Sequence, residues 1–233
     1  GDVLVIQHTT LEQQHLGIAA SCGYETLKVM TQPKVLLMTT GDELIPVDEA
    51  PLAHQIRNSN GPMLQASFES MGCAVTTTHV TDDASQTTQA LDEALSSDAN
   101  LVVTVGGISA GKRDYLPSSL ANAKVKQVVK GANIQPGKPI YVGKHTDKIL
   151  LCLPGNPVSA LVCATIFGLP IIRKMQGLDG TLPWQKMQLG NDVQPNPKRT
   201  MFRPCVCKDG VVTIPSWQGS GDLSHTSPAT LPK

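Results

Sequence analysis

Aromatic residues are scarce: three Phe, three Tyr and two Trp make up 3% of the 233 residues. A sizeable core must therefore be packed from Val, Leu, Ile, Ala and Met. Charge of one sign is also missing, since 19 Lys and Arg balance 19 Asp and Glu. That balance argues against a nucleic-acid footprint, which normally needs a basic patch or domain. No apolar run approaches the roughly 18 residues that span a bilayer. The most apolar stretch, Ala160 to Ile172, contains Gly168 and Pro170 and reads as a buried helix of a soluble domain. The six cysteines form no C-x-x-C pair, and most lie in apolar segments where a reduced thiol packs as a small hydrophobe. Structural cysteines of a cytoplasmic protein are thus expected, rather than a disulfide or zinc framework. Cys205-x-Cys207 would share one strand face, but no third or fourth ligand is spaced to complete a metal site. The six histidines show no metal spacing, and no Ser/His/Asp or Cys/His arrangement can be argued. There is no signal-peptide pattern, and the chain opens on Gly1 like the tail of a longer domain.

What is present is an alternation of strands and helices. Val3–Ile6 and Thr26–Met30 read as strands flanking a short helix, and residues 1–32 as the tail of an N-terminal domain. From residue 33 to 177 the pattern is that of right-handed βαβ units on a largely parallel sheet. Its predicted strands are Lys34–Thr40, Ala74–Val80, Leu101–Val105, Lys124–Val129 and Lys148–Leu153. A helix is expected from Asn60, as N-cap, to Met71, with Gly72 as its stop. Others run through Leu91 and Leu95, from about Tyr115, and from Pro157 to about Gln176. Residues 178–233 hold short β runs broken by Pro and Gly, which predicts a small all-β barrel or sandwich. The fold class is therefore α/β: a mostly parallel three-layer α/β/α domain with a small C-terminal β domain.

In an open α/β sheet, ligands bind outside the carboxyl ends of the strands. Four motifs fall there: Gly41-Asp42-Glu43, Thr81-Asp82-Asp83, Gly106 to Asp114, and Pro154-Gly155-Asn156-Pro157. Singly, each has a bland explanation. Asp83 suits a helix cap, Asn156 and Pro157 suit a helix start, and Asp42 with Glu43 suit a solvated turn. The glycine loop is harder to dismiss, because Gly106, Gly107 and Gly111 around Ser109 strip the turn of side chains and offer backbone N–H groups to an oxyanion. Glycine N–H groups attract negative charge, whereas Asp42, Glu43, Asp82 and Asp114 repel it. A divalent cation between them reconciles the two, and oxygen ligands of this kind suit Mg²⁺ bridged to phosphate. Lys138, in the turn Pro136-Gly-Lys-Pro139, is a further oxyanion partner or an exposed lysine in a rigid turn.

Thr39-Thr-Gly-Asp-Glu-Leu44, Gln55-Ile-Arg-Asn-Ser-Asn60, Thr81-Asp82-Asp83, Gly106 to Gly111 with Asp114-Tyr115, Pro136 to Pro139 and Leu153 to Ser159 occur in order. Together they resemble the molybdopterin molybdenumtransferase family, MoeA-type, which includes the E-domain of gephyrin. The match runs from about Gly17 onward, and Gln218-Gly-Ser-Gly-Asp-Leu223 resembles a motif of the family's C-terminal β domain. The resemblance implies an elongated homodimer of four-domain subunits, of which this chain would hold the last two domains. It implies insertion of molybdate into the dithiolene of adenylylated molybdopterin with Mg²⁺, releasing AMP. Glu43, Asp82 and Asp114 match the family's active-site acids, and Pro154 and Pro157 its active-site prolines. Substrate binding is expected of Thr40, Gly41, Gly106, Gly107, Ser109, Gly111, Lys138, Pro154, Gly155, Asn156 and Pro157, and metal binding of Asp42, Glu43, Asp82 and Asp114. Protein partners implied are a molybdopterin adenylyltransferase and molybdoenzymes. Asn58 stands where the family usually has Asp, Gln135 where it has a basic residue, and Lys112-Arg113 where an acid often precedes Asp-Tyr. Two other readings stay open: a related adenylyltransferase or nucleotide pyrophosphatase on the same core, and a non-catalytic binding or scaffold module.

Overall fold

The computed structural model describes residues 2–108, 114–216 and 219–224. In chain order the elements are α1 (Gln13–Ser21), β1 (Lys34–Thr40), β2 (Leu44–Ile45), β3 (Ile56–Arg57), α2 (Asn60–Ser70), β4 (Ala74–Val80), α3 (Ala84–Ser96) and β5 (Leu101–Val105). Then follow α4 (Leu116–Asn122), β6 (Lys126–Lys130), β7 (Ile134–Gln135), β8 (Tyr141–His145), β9 (Lys148–Leu153), α5 (Pro157–Cys163) and α6 (Leu169–Met175). Four short strands close the chain: β10 (Gln188–Leu189), β11 (Thr200–Met201), β12 (Val206–Lys208) and β13 (Val211–Thr213).

The central sheet runs β4-β1-β5-β9-β8-β6 among the described residues. Its first four strands are parallel, because each is followed by a helix that must cross a sheet face before the chain returns. β5 is buried along its whole length, as its unbroken run Leu-Val-Val-Thr-Val requires of a strand covered on both sides. Leu101, Val103 and Val105 pack with Leu64 and Phe68 of α2 and with Ala160, Cys163 and Ile172. Val102 points the other way, into a cluster with Leu91 and Ala94 of α3 and Leu116 and Leu120 of α4. The two clusters are the two interfaces of a three-layer α/β/α arrangement. The C-terminal β region is a three-stranded sheet ordered β10-β13-β12, and β11 pairs with β7, tying this region to the α/β unit.

The structure departs from the sequence pattern in several places, the short strands β2, β3 and β7 among them. Val3–Ile6 and Thr26–Met30 are not strands. Val3, Ile6, Val29 and Met30 are exposed, so these apolar runs have no neighbouring strand to bond. Asn60 is the first residue of α2 rather than its cap, which is Ser59. The capping bond comes from Asn58, whose Oδ1 accepts from the Gly61 N–H at 3.0 Å. β8 is a strand that the pattern did not announce, pairing antiparallel with β9 in register Tyr141↔Cys152 to His145↔Lys148. Finally, the helix from Pro157 to Met175 contains a π turn at Ala164–Gly168 between α5 and α6. By length and composition it could cross a membrane. Its Val158, Ala160, Cys163, Ala164 and Ile172 are buried in the fold.

Candidate active-site crevice at the carboxyl edge of the sheet

The parallel register brings the carboxyl ends of four strands side by side. Thr40 pairs with Val80, Thr39 with Val105, and Val105 with Leu153. The ladder continues one residue further, with the Gly41 N–H on Val80 O at 3.3 Å and the Gly106 N–H on Leu153 O at 3.1 Å. The loops carrying Gly41-Asp42-Glu43, Thr81-Asp82, Gly106-Gly107 and Pro154 to Pro157 thus leave the sheet along one line.

On the acidic side, Asp42 and Asp82 hold each other. The Asp82 N–H donates to Asp42 Oδ1 at 2.9 Å, and the Asp42 N–H donates to Asp82 Oδ2 at 3.4 Å. Each carboxylate is fixed by the other's backbone, so two like charges are kept adjacent by main-chain donors. Glu43 folds back over Gly41, where an added Cβ would stand 2.7 Å from Glu43 Oε2; glycine clears the space its carboxylate occupies. Asp114 lies half-buried just before Tyr115, which precedes α4. Asp83 takes the capping role. Its Oδ1 accepts from the N–H groups of Ser85 and Gln86 at 2.9 Å, and the Ser85 hydroxyl bond, then those amides, hold its carboxyl below the usual range. Among the described residues, no three or more His, Cys, Asp or Glu side chains gather as a ready-made metal cage.

On the anion side, Gly106 and Gly107 have φ of 94° and 66°. A Cβ on Gly106 would stand 2.8 Å from Thr40 Oγ1 and 3.1 Å from Thr40 O, and one on Gly155 would stand 3.8 Å from Gly106 Cα. Thr40 is buried and donates its hydroxyl to Val105 O at 3.3 Å. Backbone at the ends of three strands therefore comes together here, with the Thr40 hydroxyl packed against Gly106. Gly106→Ala is expected to cost about 1–3 kcal/mol through its backbone conformation alone, read as a lower denaturation midpoint in urea, because β1 cannot retreat without losing its ladder to β5.

The Pro154–Pro157 turn opens α5 with Asn156 as N-cap and Pro157 in its first turn, as the bland reading expected. Its side chain does not cap. Asn156 Nδ2 donates to Ser220 Oγ at 2.9 Å, and the Val158 N–H donates to Ser220 O at 3.0 Å. Ser220 is thus a site-forming residue to which sequence reasoning attached no role, although it sits inside the Gln218–Leu223 motif. Asn60, expected from sequence only as a helix cap, donates its amide to Gly155 O at 2.6 Å.

The Pro136–Pro139 turn precedes β8, whose start pairs with the end of β9, so it too lies at this edge. Lys138 is exposed there. Beneath it, Gly137 has φ of 103° and a Cβ would meet Cys163 Sγ at 2.5 Å. Burial pushes the Cys163 thiol up to about 12, so it packs as a neutral group and donates to Gly137 O at 3.5 Å. Two departures from the family pattern are accommodated. Asn58 Nδ2 donates to Thr39 Oγ1 at 2.9 Å, which a carboxylate could not do, and Gln135 Oε1 accepts from Asn196 Nδ2 at 2.6 Å. Ser109, Gly111, Lys112 and Arg113 lie outside the described residues.

A family model described as a "probable molybdopterin binding domain" matches residues 36–174. The molybdopterin molybdenumtransferase of a Synechocystis species is 36% identical over 166 residues, covering 70% of this chain and 42% of that protein. Its counterpart in Staphylococcus aureus is 32% identical over 178 residues, covering 76% of this chain and 42% of that protein. The chain therefore spans less than half the length of these relatives. A crystal structure of a molybdopterin biosynthesis MoeA protein from Pyrococcus horikoshii superposes with a TM-score of 0.83 at 26% identity, covering 97% of this chain and 56% of that one.

Proposed function

The chain belongs to the molybdopterin-binding domain family, of the MoeA type, and from that premise we propose that its carboxyl-edge crevice binds adenylylated molybdopterin and molybdate and supports molybdenum insertion with release of AMP. The observation that carries this reading is the joining of a bare-backbone cradle at Gly106-Gly107 and Gly155 to the Asp42–Asp82 clasp in one line of loops. A pyrophosphate-linked substrate needs both: N–H groups for its phosphate oxygens, and carboxylates whose charge is tolerated only beside a cation.

The donor set fits Mg²⁺. Two adjacent carboxylates with main-chain support are what a hydrated Mg²⁺ takes from protein when the substrate's phosphates supply the rest. Asp42 and Asp82 would hold it, with Glu43 and Asp114 as the remaining acids of the crevice. When bound, the ion would neutralise charge on the phosphoryl oxygens. The chain's own groups do the positioning. The glycine loop and the start of α5 receive the phosphates, Lys138 adds positive charge at the rim, and the Asn60 and Ser220 bonds hold the Pro154–Pro157 turn in place. Release of AMP is a hydrolysis: a water oxygen bonds to phosphorus as the phosphoanhydride P–O bond breaks, AMP leaves, the water's protons pass to solvent, and the phosphate that stays on the pterin is left for the same N–H donors to stabilise. The same reading gives a cytoplasmic homodimer that receives substrate from a molybdopterin adenylyltransferase and passes cofactor to molybdoenzymes.

The test is molybdate-dependent AMP release from adenylylated molybdopterin, with calorimetric binding of that substrate measured in the same preparation. Binding and release are both expected. Binding without release reduces the protein to a scaffold module, and absence of both overturns the reading.

A further inference from the structure

Away from the crevice, two sulfur atoms meet at the small C-terminal sheet, and a third sulfur-bearing residue stands close by in the chain. Cys207 of β12 places its Sγ 3.9 Å from Sδ of Met187, the residue just before β10. Cys205 stands two residues earlier on the run entering β12, a spacing that carries both thiols to the same face of an extended chain. Both thiols are exposed, and Met187 keeps 42% of its surface in water. A flexible thioether of this size is ordinarily spent on filling a core gap. Here it is turned outward against a thiol.

The Cys207–Met187 separation matches one edge of a coordination geometry. Metal–sulfur bonds of about 2.3 Å in a trigonal arrangement set the sulfurs about 4 Å apart. Thiolate and thioether together select a soft monovalent ion, whereas Zn²⁺ asks for a fourth ligand and Mg²⁺ for oxygen. We propose that Cys205, Cys207 and Met187 form a binding site for one Cu(I) ion on the C-terminal sheet, separate from the crevice. Binding replaces the thiol protons, which leave to solvent as the thiolates form, with no change of oxidation state. The other cysteines do not compete on equal terms. Cys73, Cys152 and Cys163 are buried, and desolvation pushes their thiols up to about 11, 12 and 12. Cys22 is exposed, and its thiol lies 4.0 Å from the Ser21 hydroxyl.

The experiment is an anaerobic titration of the fully reduced chain with Cu(I) against the chelator bicinchoninate. One tightly held equivalent is expected, with X-ray absorption showing three sulfurs at about 2.3 Å. The exposed-site double variant Cys205→Ser/Cys207→Ser is expected to lose at least about a hundredfold in affinity, Met187→Leu about tenfold, and Cys22→Ser nothing. Retention of the ion by the double variant, a nitrogen or oxygen coordination shell, or failure to hold any Cu(I) would each overturn the proposal. The last result would leave the Cys207–Met187 approach as a simple S–H···S contact.

Discussion

Asp82→Asn is expected to lower molybdate-dependent AMP release by about a hundredfold to a thousandfold while leaving the fold in place. Asparagine is the informative replacement because it preserves shape and an acceptor oxygen. The Asp82 N–H on Asp42 Oδ1 is a main-chain bond and survives, and the new carboxamide can still accept from the Asp42 N–H. What disappears is one of two adjacent negative charges. If those charges exist to hold Mg²⁺ against the substrate's phosphates, the Mg²⁺ concentration for half-maximal activity should rise steeply. Loss of even an outer-shell partner of a bound metal costs about 10–100-fold in affinity, and loss of a direct carboxylate should cost at least as much. Unchanged activity with an unchanged Mg²⁺ dependence would remove the Asp42–Asp82 clasp from the chemistry and leave it as a loop fastener.

Phe68→Ala carries the largest expected cost in stability, about 3–5 kcal/mol. Phe68 is fully buried in α2 and belongs to the cluster that joins α2, the central sheet and the Pro157–Met175 helix. A methyl added at Gly168 in the π turn would come within 3.2 Å of its ring and 3.4 Å of Leu151, so the backbone rests directly on the aromatic edge. The chain's other two phenylalanines, Phe167 and Phe202, already pack at the margin of this cluster. Thermal unfolding should fall by roughly 10 °C, and Phe68→Leu should recover most of the loss. A decrease under about 1 kcal/mol would show that the cluster closes over the gap.

Much of the crevice was legible in the sequence because three of its four strands are largely buried, β4 alone being exposed along most of its length. β1, β5 and β9 are near-continuous apolar runs, and each ends abruptly in glycine, proline or acid. Such a boundary locates the carboxyl edge without any knowledge of the rest of the fold. What escaped was set by partners distant in sequence. β8 contains Gly143 and Lys144 and carries little apolar signal; it is a strand because β9 offers it an edge. Val3–Ile6 has the opposite history, with ample apolar content and no edge to join. Asn58 and Asn60 are equally good caps by residue type. Only the position of Thr39 decides that Asn58 turns toward the Gly61 N–H and leaves Asn60 to reach Gly155. The Gln218–Leu223 motif contains Ser220, but its partner Asn156 lies 64 residues away and no local pattern names it.

That last contact couples two events that otherwise have nothing in common. Because the segment around Ser220 is bonded to the turn that opens α5, any ligand that binds better when the turn is in place must stabilise the segment's docking by the same free energy. The reverse holds with equal force: whatever draws Ser220 away, whether a protease cut or a protein gripping the C-terminal sheet, weakens the crevice's hold on its ligand by an amount that can be read at either end.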